Sequence, residues 1–525
     1  MTVAAEQVAS NSYDDVPYPE IPIAKTHPDR LATVATIFGM EPASPRRCRV
    51  LELGCASGGN LMPLAESYPD SQFVGIDLSA KQIAEGQSTA RELGLDNLDL
   101  RHLSITDVDA DFGEFDYILC HGVYSWVPPE VQEKILEICR KNLAPQGIAY
   151  VSYNTYPGWH MRGMIRDMML YHSSRFESPK DRVQQSRALL KFLSESVSAE
   201  GNAYGTMLKT ELDNLSRQSG SYLFHEHLEE HNYPLYFHQF MERAAHQRLQ
   251  YLGEVDVNTM VATNLPTKIS ETLGRIAPTI LHTEQYLDFL KNRTFRQTLL
   301  CHQSVQLSRK LDGTLLENLW VASSLKPAET DTPLDEPGAL EFVHPAGMSL
   351  ESDVPLMKAA LIEAVSRFPK SVSFSTLIAE AAKRLGQTYP TQAEAKAIGD
   401  LMIRCYTAGM IELSVGSIEF VQSLSERPIA SGYARRQARK FRFATSRRQE
   451  VIPLNDVDRL VLGHLDGEHS DVDLANLLSD LLSKGQLSLK SSQSSETSSD
   501  EIRDNLPNLV NASLEKIAGN ALLVG

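Results

Sequence analysis

The sequence predicts an α/β fold with a doubly wound sheet, because apolar strands and helices alternate over its first 160 residues. A strand, a glycine-rich turn and a helix follow one another in RVLELGCASGGNLMPLA, residues 49–65. An acid, Asp77, ends the next apolar run, QFVGI. Ligands of such sheets bind beyond the carboxyl ends of the strands. The residues that directly follow each strand are therefore the candidate site.

The elements of this first region can be placed in order along the chain. We predict a helix from residue 28 through Phe38, a strand at 50–53, a helix from 61, a strand at 72–76, a helix at 80–93, strands at 98–103 and 115–120, a helix at 129–143 and, after the break APQG, a strand at 148–154. Pro28 and Pro129 suit helix starts, where the missing N–H of proline has no helical partner.

The rest of the chain is predicted to add two strands to the sheet and then to form separate regions. Strands at 249–255 and 296–302 are predicted to complete the sheet, between helical insertions. A linker, PAETDTPLDEPG, precedes helices at 356–367, 376–385 and 393–408 and a strand–turn–strand at 411–420, a pattern typical of a winged helix. We predict four parts: a core with an N-terminal lid at 1–160, a helical insertion and regulatory region supplying the last core strands at 161–325, a winged-helix-like domain at 335–425, and a C-terminal helical region at 430–525 with a mobile Ser-rich segment, 487–500.

Composition limits the classes of function. The six cysteines are scattered without a C-x-x-C pair, which predicts neither a disulfide framework nor a zinc site. We find no apolar run long enough to span a membrane and no signal peptide, and we therefore expect a cytoplasmic protein without a membrane partner. The net charge of −17 argues against broad nucleic-acid binding.

The glycine-rich turn has the pattern E-x-G-x-x-x-G-G, starting at Glu52. It lacks both the G-x-G-x-x-G of dinucleotide sites and the Lys-Ser/Thr of a phosphate-binding loop. Glycines let the backbone approach a ligand closely, and an acid at the end of the second strand suits ribose hydroxyls. The turn and Asp77 together resemble motif I and its acidic partner in class I S-adenosylmethionine (SAM) methyltransferases.

That resemblance assigns cofactor roles around the strand ends. The turn and Asp77 would hold the ribose and methionine ends, Ile105 would lie against adenine, and His121 would form a wall on the cofactor side. Ser104 stands where many relatives have an acid. The predicted cofactor residues are Glu52, Gly54, Ala56, Gly59, Asn60, Asp77, Leu78, Ser104, Ile105 and His121.

Two aromatic segments, HGVYSWVPPE and YNTYPGWH, follow the fourth and fifth strands, where a methyl acceptor should lie. Aromatic faces attract a lysine ammonium, which must lose a proton to a tyrosine, a histidine or water before it attacks. The predicted acceptor residues are Tyr124, Trp126, Tyr153, Asn154, Tyr156 and Trp159. The alternative is that these rings pack the sheet against the helical insertion.

Two further clusters have simpler explanations. His225, His227, His231 and His238 lie within 224–240, but their spacing fits no metal-site pattern, and we predict a helix surface and core without a metal. The basic run at 434–448 is typical of a nucleic-acid contact or of pairing with the protein's own acidic surface. We favour the second.

Longer stretches resemble one bacterial group. They are YDDVPYP, THPDRLATVATIFG, ELGCASGGN, GIDLSAKQIAEG, FGEFDYILCHGVYSWVPPE and YVSYNTYPGWHMRGMIRDMMLYH. The group is the class I methyltransferases with a methyltransferase regulatory domain, including the rickettsial-type protein-lysine methyltransferases that modify outer membrane protein B. LFHEHLEEHNYPLYFHQFMERAA resembles the regulatory domain itself. The resemblance implies a Rossmann-like class I methyltransferase core with helical insertions, followed by an α-rich C-terminal region containing a winged-helix-like domain.

The resemblance also implies SAM as cofactor and methyl transfer to lysine side chains of a protein substrate. It places Tyr13, Tyr18, His27 and Arg30 in a lid over SAM, although the segment 12–30 also suits a strap packed on the core. A homodimer is compatible with the sequence. Two alternatives remain, a small-molecule methyltransferase and a non-catalytic regulator on this fold. The intact turn with Asp77 argues against the regulator.

Overall fold

The computed structural model of the protein describes residues 21–329, 334, 338–487 and 505–525. Its centre is a seven-stranded sheet of order β3-β2-β1-β4-β5-β7-β6. The strands are β1 Arg49–Leu53, β2 Gln72–Asp77, β3 Leu98–His102, β4 Phe115–Cys120, β5 Leu143–Asn154, β6 Leu249–Glu254 and β7 Phe295–His302. Tyr13 and Tyr18, most of the predicted linker and nearly all of the predicted Ser-rich segment lie outside the described residues.

The sheet is mixed, with parallel strands only where strands and helices alternate along the chain. β1 to β5 run parallel, whereas β7 is antiparallel to both β5 and β6. Strand–helix alternation predicts direction only when each connection crosses over the sheet, and antiparallel neighbours such as β6 and β7 need no crossover. The predicted break APQG also lies inside β5, because these residues form a bulge between the pairs Phe115–Leu143 and Tyr117–Ile148.

Helices flank the sheet and form the insertions as predicted, with ends shifted by a few residues. They are Pro28–Ile37, Met62–Ser67, Ala80–Leu93, Pro129–Lys141, Trp159–Ser173, Pro179–Ser196, Ala203–Ser216, Gly220–His227, Phe237–His246, Thr267–Ile276 and Ile280–Lys291. The later part of the chain contains Pro355–Arg367, Phe374–Arg384, Gln392–Thr407, Gly432–Lys440, Asp456–Gly463, Asp471–Ser483 and Leu506–Gly519. None of the described helices is long and apolar enough to cross a membrane.

The buried apolar residues form separate clusters. The largest joins the sheet to residues 316–413. A smaller cluster lies within the helical insertion, from Ile165 to Leu228. A third runs from Ala430 to Leu523. The C-terminal residues therefore have a core of their own, and they meet the rest of the molecule through polar contacts and the buried ring of Tyr433.

Short strands organise the region after residue 319. β8 Trp320–Ala322 lies between β12 Val372–Ser373 and β13 Glu412–Ser414, whereas β9 Lys326–Pro327, β10 Leu340–Val343 and β11 Ser349–Ser352 form a second sheet. The predicted strand–turn–strand at 411–420 is wrong in its second half: only β13 is a strand, and β8 supplies its backbone partner. The predicted C-terminal helical region contains a hairpin, β14 Phe443–Thr445 and β15 Val451–Pro453.

Candidate functional site

The glycine-rich turn is held against the end of β2 by its own backbone. The N–H groups of Gly54 and Cys55 both donate to the carbonyl of Ile76, at 2.9 and 3.0 Å. Gly54 has φ of +78°, and a Cβ at this position would lie 2.5 Å from Cγ2 of Val123. Glycine is thus required here by conformation and by space. The turn leaves an open backbone beyond β1, as a site for a close-fitting ligand requires.

Asp77 connects the turn to the next helix. Its carboxylate oxygens accept the N–H of Ala56 and the N–H of Ser79, each at 2.8 Å. A carboxylate can accept about four hydrogen bonds, and the hydroxyls of a ribose are suitable donors to it. The residue is in the position that the sequence predicted for ribose recognition.

Glu52 and Asn60 form a buried polar pair beneath the turn. Nδ2 of Asn60 donates to Oε1 of Glu52 at 2.8 Å. Oε2 of Glu52 is buried and has no hydrogen-bond partner among the described residues. Burial raises the pKa of Glu52 to about 7, against the lowering effect of the Asn60 hydrogen bond. An unsatisfied buried carboxylate oxygen is the complement of a cation, and the ammonium of SAM would satisfy it.

The residues predicted to meet adenine lie after β2 and β3. Leu78 is 60% exposed and Ile105 is half-buried, so two apolar side chains are available to a flat base. Ser104 caps the short helix Ile105–Asp107, where its Oγ accepts the N–H of Thr106 at 3.2 Å. Ser104 therefore has a local structural role in place of the acid found in many relatives.

His121 follows β4 and is fixed by neighbouring polar groups. Its Nδ1 lies 2.7 Å from the hydroxyl of Tyr150, which also accepts Nε2 of Gln297 at 2.9 Å. Burial lowers the pKa of His121 to about 4. The ring is neutral at neutral pH and a weak proton acceptor, which agrees better with a wall of the site than with a general base.

Several predicted acceptor residues lie in the core. The ring of Tyr153 is 1% exposed and stacks on Phe240 with centroids 4.2 Å apart, while its hydroxyl lies 3.1 Å from Oγ1 of Thr298. Tyr124 is fully buried and meets the same Phe240 edge-on at 5.3 Å. Trp159 is 3% exposed. The packing alternative accounts for Tyr124 and Tyr153, because Phe240 of the helix Phe237–His246 packs against both rings.

Other predicted acceptor residues reach the surface. Tyr156 is half-buried, stacks on His160 at 3.9 Å and lies 5.3 Å from the ring of Tyr236. We call Tyr156, His160 and Tyr236 the aromatic patch. Trp126, also half-buried, meets the buried Trp159 edge-on at 6.3 Å.

Hydrogen bonds join the loops after β4 and β5. The N–H of the buried Asn154 donates to Oγ of Ser125 at 2.8 Å, and the N–H of Tyr233 donates to the carbonyl of Ser125 at 2.7 Å. These bonds hold the regulatory region against both loops. Ser125 was missed by sequence reasoning, because no local pattern marks it.

The described part of the predicted lid is a strap. His27 is buried; its Nδ1 accepts the N–H of Asp29 at 3.0 Å, and burial lowers its pKa to about 3. Arg30 lies 4.0 Å from Glu412. The strap reaches the turn through Asn60, whose Oδ1 accepts the N–H of Ile23 at 2.9 Å. His27 and Arg30 therefore anchor the strap, and their place over a ligand stays a prediction.

Side chains of the two remaining clusters contact acidic groups of the protein itself. Among the described residues no group of three or more His, Cys, Asp or Glu could hold a metal ion. His225 bonds to Glu229 at 2.7 Å. In the basic run, Arg436 pairs with Glu92 at 3.1 Å and Arg448 with Glu412 at 2.9 Å. The run thus contacts the protein's own acidic side chains.

Comparison with family models agrees with this architecture. The description "Methyltransferase domain" matches residues 50–147, and "Predicted methyltransferase regulatory domain" matches residues 219–302. A third, "PKMT, C-terminal winged helix domain", matches residues 426–522. This match falls on the segment that the sequence predicts as a C-terminal helical region, and it includes the β14–β15 hairpin. The pattern of helices instead predicts a winged helix at residues 335–425.

Two relatives that match nearly the whole chain, and one that matches part of it, come from Rickettsia. The solved structure described as PKMT2 from Rickettsia typhi in complex with AdoHcy superposes with a TM-score of 0.88 and 35% identity, covering 97% of this chain and 100% of that chain. The uncharacterized protein RP789 of Rickettsia prowazekii is 38% identical over 521 residues, 98% of this chain and 94% of that protein. RP028 of the same organism is 47% identical over 233 residues, 44% of this chain and 93% of its own length.

The fold, the glycine turn with Asp77 and these matches define a SAM-dependent methyltransferase. SAM is its cofactor, and Glu52, Asp77 and the backbone of the turn fit it. More narrowly, the chain belongs to the family of methyltransferases that combine this core with the regulatory domain and the PKMT-type C-terminal winged helix.

Proposed function

We propose that this methyltransferase modifies lysine side chains of proteins. The observation that carries the proposal is the full-length similarity to PKMT2 of Rickettsia typhi, because it extends over the domains outside the catalytic core. Many methyltransferases share a core of this kind, so the core alone does not select an acceptor. The resemblance of the aromatic segments to rickettsial-type protein-lysine methyltransferases supports the same assignment.

The chain's contribution to catalysis is positioning. SAM supplies an electrophilic methyl group on its sulfonium, and the protein needs to hold donor and acceptor in line. Asp77 and the glycine turn hold the cofactor from one side of the strand ends. The loops after β4 and β5 lie on the other side, where the acceptor nitrogen would approach.

The aromatic patch is suited to a lysine side chain. Aromatic faces attract an ammonium and its apolar stem, and these rings are open to solvent in part. The attacking amine must be neutral, so a proton acceptor is needed nearby. We assign this role to His160, an exposed ring whose Nε2 lies 3.3 Å from the hydroxyl of Tyr236.

Mass spectrometry tests the proposal directly. The enzyme is incubated with SAM carrying an isotopically labelled methyl group and with a bacterial lysate separated into protein and small-molecule fractions. We expect label on protein lysines, and much less of it with an Asp77→Ala variant when the concentration of SAM is limiting. Label confined to small molecules would overturn the proposal and favour the small-molecule alternative.

A further inference from the structure

The C-terminal domain, residues 426–522, reaches directly into the cofactor turn. Gln449 lies in the loop between β14 and β15 and is 2% exposed. Its Nε2 donates to the main-chain carbonyl of Asn60 at 2.9 Å and to Oδ1 of Asn60 at 2.7 Å. The hydroxyl of Tyr433 donates to the carbonyl of Gly59 at 3.3 Å. Two neighbouring residues of the turn therefore receive donors from a domain with its own hydrophobic core.

Gln449 and the N–H of Ile23 both donate to Oδ1 of Asn60 and together fix the orientation of its amide. Because Gln449 is a donor here, Asn60 must present its oxygen to Gln449 and its nitrogen elsewhere. That nitrogen donates to Oε1 of Glu52 at 2.8 Å. Gln449 thus acts through Asn60 on the carboxylate whose other oxygen would receive the SAM ammonium.

The loop that carries Gln449 is held in a strained conformation. Gln449 has φ of +60°, a left-handed conformation uncommon for a residue with a side chain. Its neighbour Arg448 donates to both carboxylate oxygens of Glu412 at 2.9 Å each and to the carbonyl of Pro369 at 2.9 Å. Such conformations persist where surrounding contacts over-determine them, often at functional positions.

A second contact docks the same domain beside the turn. The helix Gly432–Lys440 begins on Glu66, whose carboxylate accepts the N–H of Gly432 at 2.6 Å and the hydroxyl of Ser431 at 2.7 Å. Glu66 belongs to the helix that directly follows the turn, Met62–Ser67. A carboxylate at a helix N-terminus is a favourable pairing. Docking of the domain and placement of Gln449 are therefore coupled.

We propose that Gln449 is a positioning residue for SAM: through Asn60 it orients the Glu52 carboxylate, so that cofactor affinity depends on the docked C-terminal domain. The role concerns the cofactor and is independent of which acceptor is methylated. It assigns the winged helix of this family member a part in assembling the cofactor site.

The test compares Gln449→Gly with the wild-type enzyme in the full chain. Glycine removes the two hydrogen bonds and also relieves the strained backbone, which offsets part of the loss of stability. We expect the Kd for AdoHcy, measured by calorimetry, to rise roughly 5- to 30-fold, the equivalent of losing two ordinary hydrogen bonds. The KM for SAM should rise in parallel, while the KM for the acceptor stays unchanged. Gln486→Gly, at an exposed glutamine of the same domain, is the matched control and should leave all three constants unchanged.

A merely structural role predicts a different result. Gln449→Gly would then melt at a lower temperature but bind AdoHcy with wild-type Kd once folded, and the proposal would be overturned. If the glycine variant does not fold, Gln449→Met decides the question, because it keeps the length of the side chain and removes only the amide. Unchanged AdoHcy affinity in a folded methionine variant contradicts the proposal, and a weakened one supports it.

Discussion

The cofactor half and the acceptor half of the strand ends are built differently. On the cofactor side the backbone defines the site: the left-handed Gly54 and the N–H groups bound by Asp77 fix the turn. On the acceptor side the depth of each ring decides its role. Tyr153 and Tyr156 are three positions apart, yet the first is in the core and the second reaches the surface. The position of a residue directly after a strand therefore predicts a site formed by the backbone better than it predicts a site formed by side chains.

The largest expected effect separates these two rings. Tyr153→Ala removes a ring stacked on Phe240 in a closed core and should lower the free energy of unfolding by about 3–5 kcal/mol. Tyr156→Ala removes a half-buried ring and should cost roughly 1 kcal/mol or less, because less apolar surface is lost. Chemical denaturation of both variants measures the difference.

Activity measurements sharpen the same comparison. The folded fraction of Tyr153→Ala should retain its SAM affinity, whereas Tyr156→Ala should lose turnover at near-normal stability. Tyr153→Phe is the control for the hydroxyl, which lies 3.1 Å from Thr298. If Tyr153→Ala proves as stable as Tyr156→Ala, the assignment of Tyr153 to the core is wrong.

The cofactor side could be predicted from the sequence more fully than the acceptor side. Glycine spacing and Asp77 are short-range signals, so the turn and the first five strands could be placed from sequence. The burial of Tyr153 depends on Phe240, which lies 87 positions further along the chain. The contact of Gln449 with Asn60 joins residues 389 positions apart. No periodicity or propensity carries such long-range information, and nothing in the basic run at 434–448 marks β14, the first strand of the hairpin that carries Gln449.

On the cofactor side, Asp77→Ala tests the ribose assignment. The variant loses the acceptor for the ribose hydroxyls and for the N–H of Ala56. We expect SAM binding to weaken by about 1–3 kcal/mol, in the range for hydrogen bonds to a charged group. Calorimetry with AdoHcy measures it. Asp70→Ala, at an exposed acid just before β2, serves as the control with normal affinity. Equal affinity in the two variants would remove Asp77 from the cofactor site.

The smallest expected effect is a pH dependence of cofactor affinity through Glu52. Burial raises the pKa of Glu52 from its ordinary value of 4.5 to about 7. The folded protein thus binds this proton more tightly than the unfolded chain does, so the group's contribution to stability falls as pH rises from about 4.5 to 7. Ligand binding has the opposite sign, because only the ionised carboxylate pairs with the ammonium.

This sign sets the expected titration. The ammonium of AdoHcy remains protonated below pH 7, since an α-amino group has a pKa of about 7.7–8.0. Lowering the pH from 7 to 6 should therefore raise the Kd of the wild-type enzyme about fivefold, or about 1 kcal/mol. Glu52→Gln keeps the acceptor for Asn60 but cannot ionise, so its weaker affinity should be constant over this interval. The pKa of the buried Asp29 is also raised by burial to about 7. Burial raises the pKa of Glu226 and Glu284 to about 7 as well. A fivefold change that persists in Glu52→Gln would therefore assign the titration to another buried acid and remove Glu52 from the ammonium site.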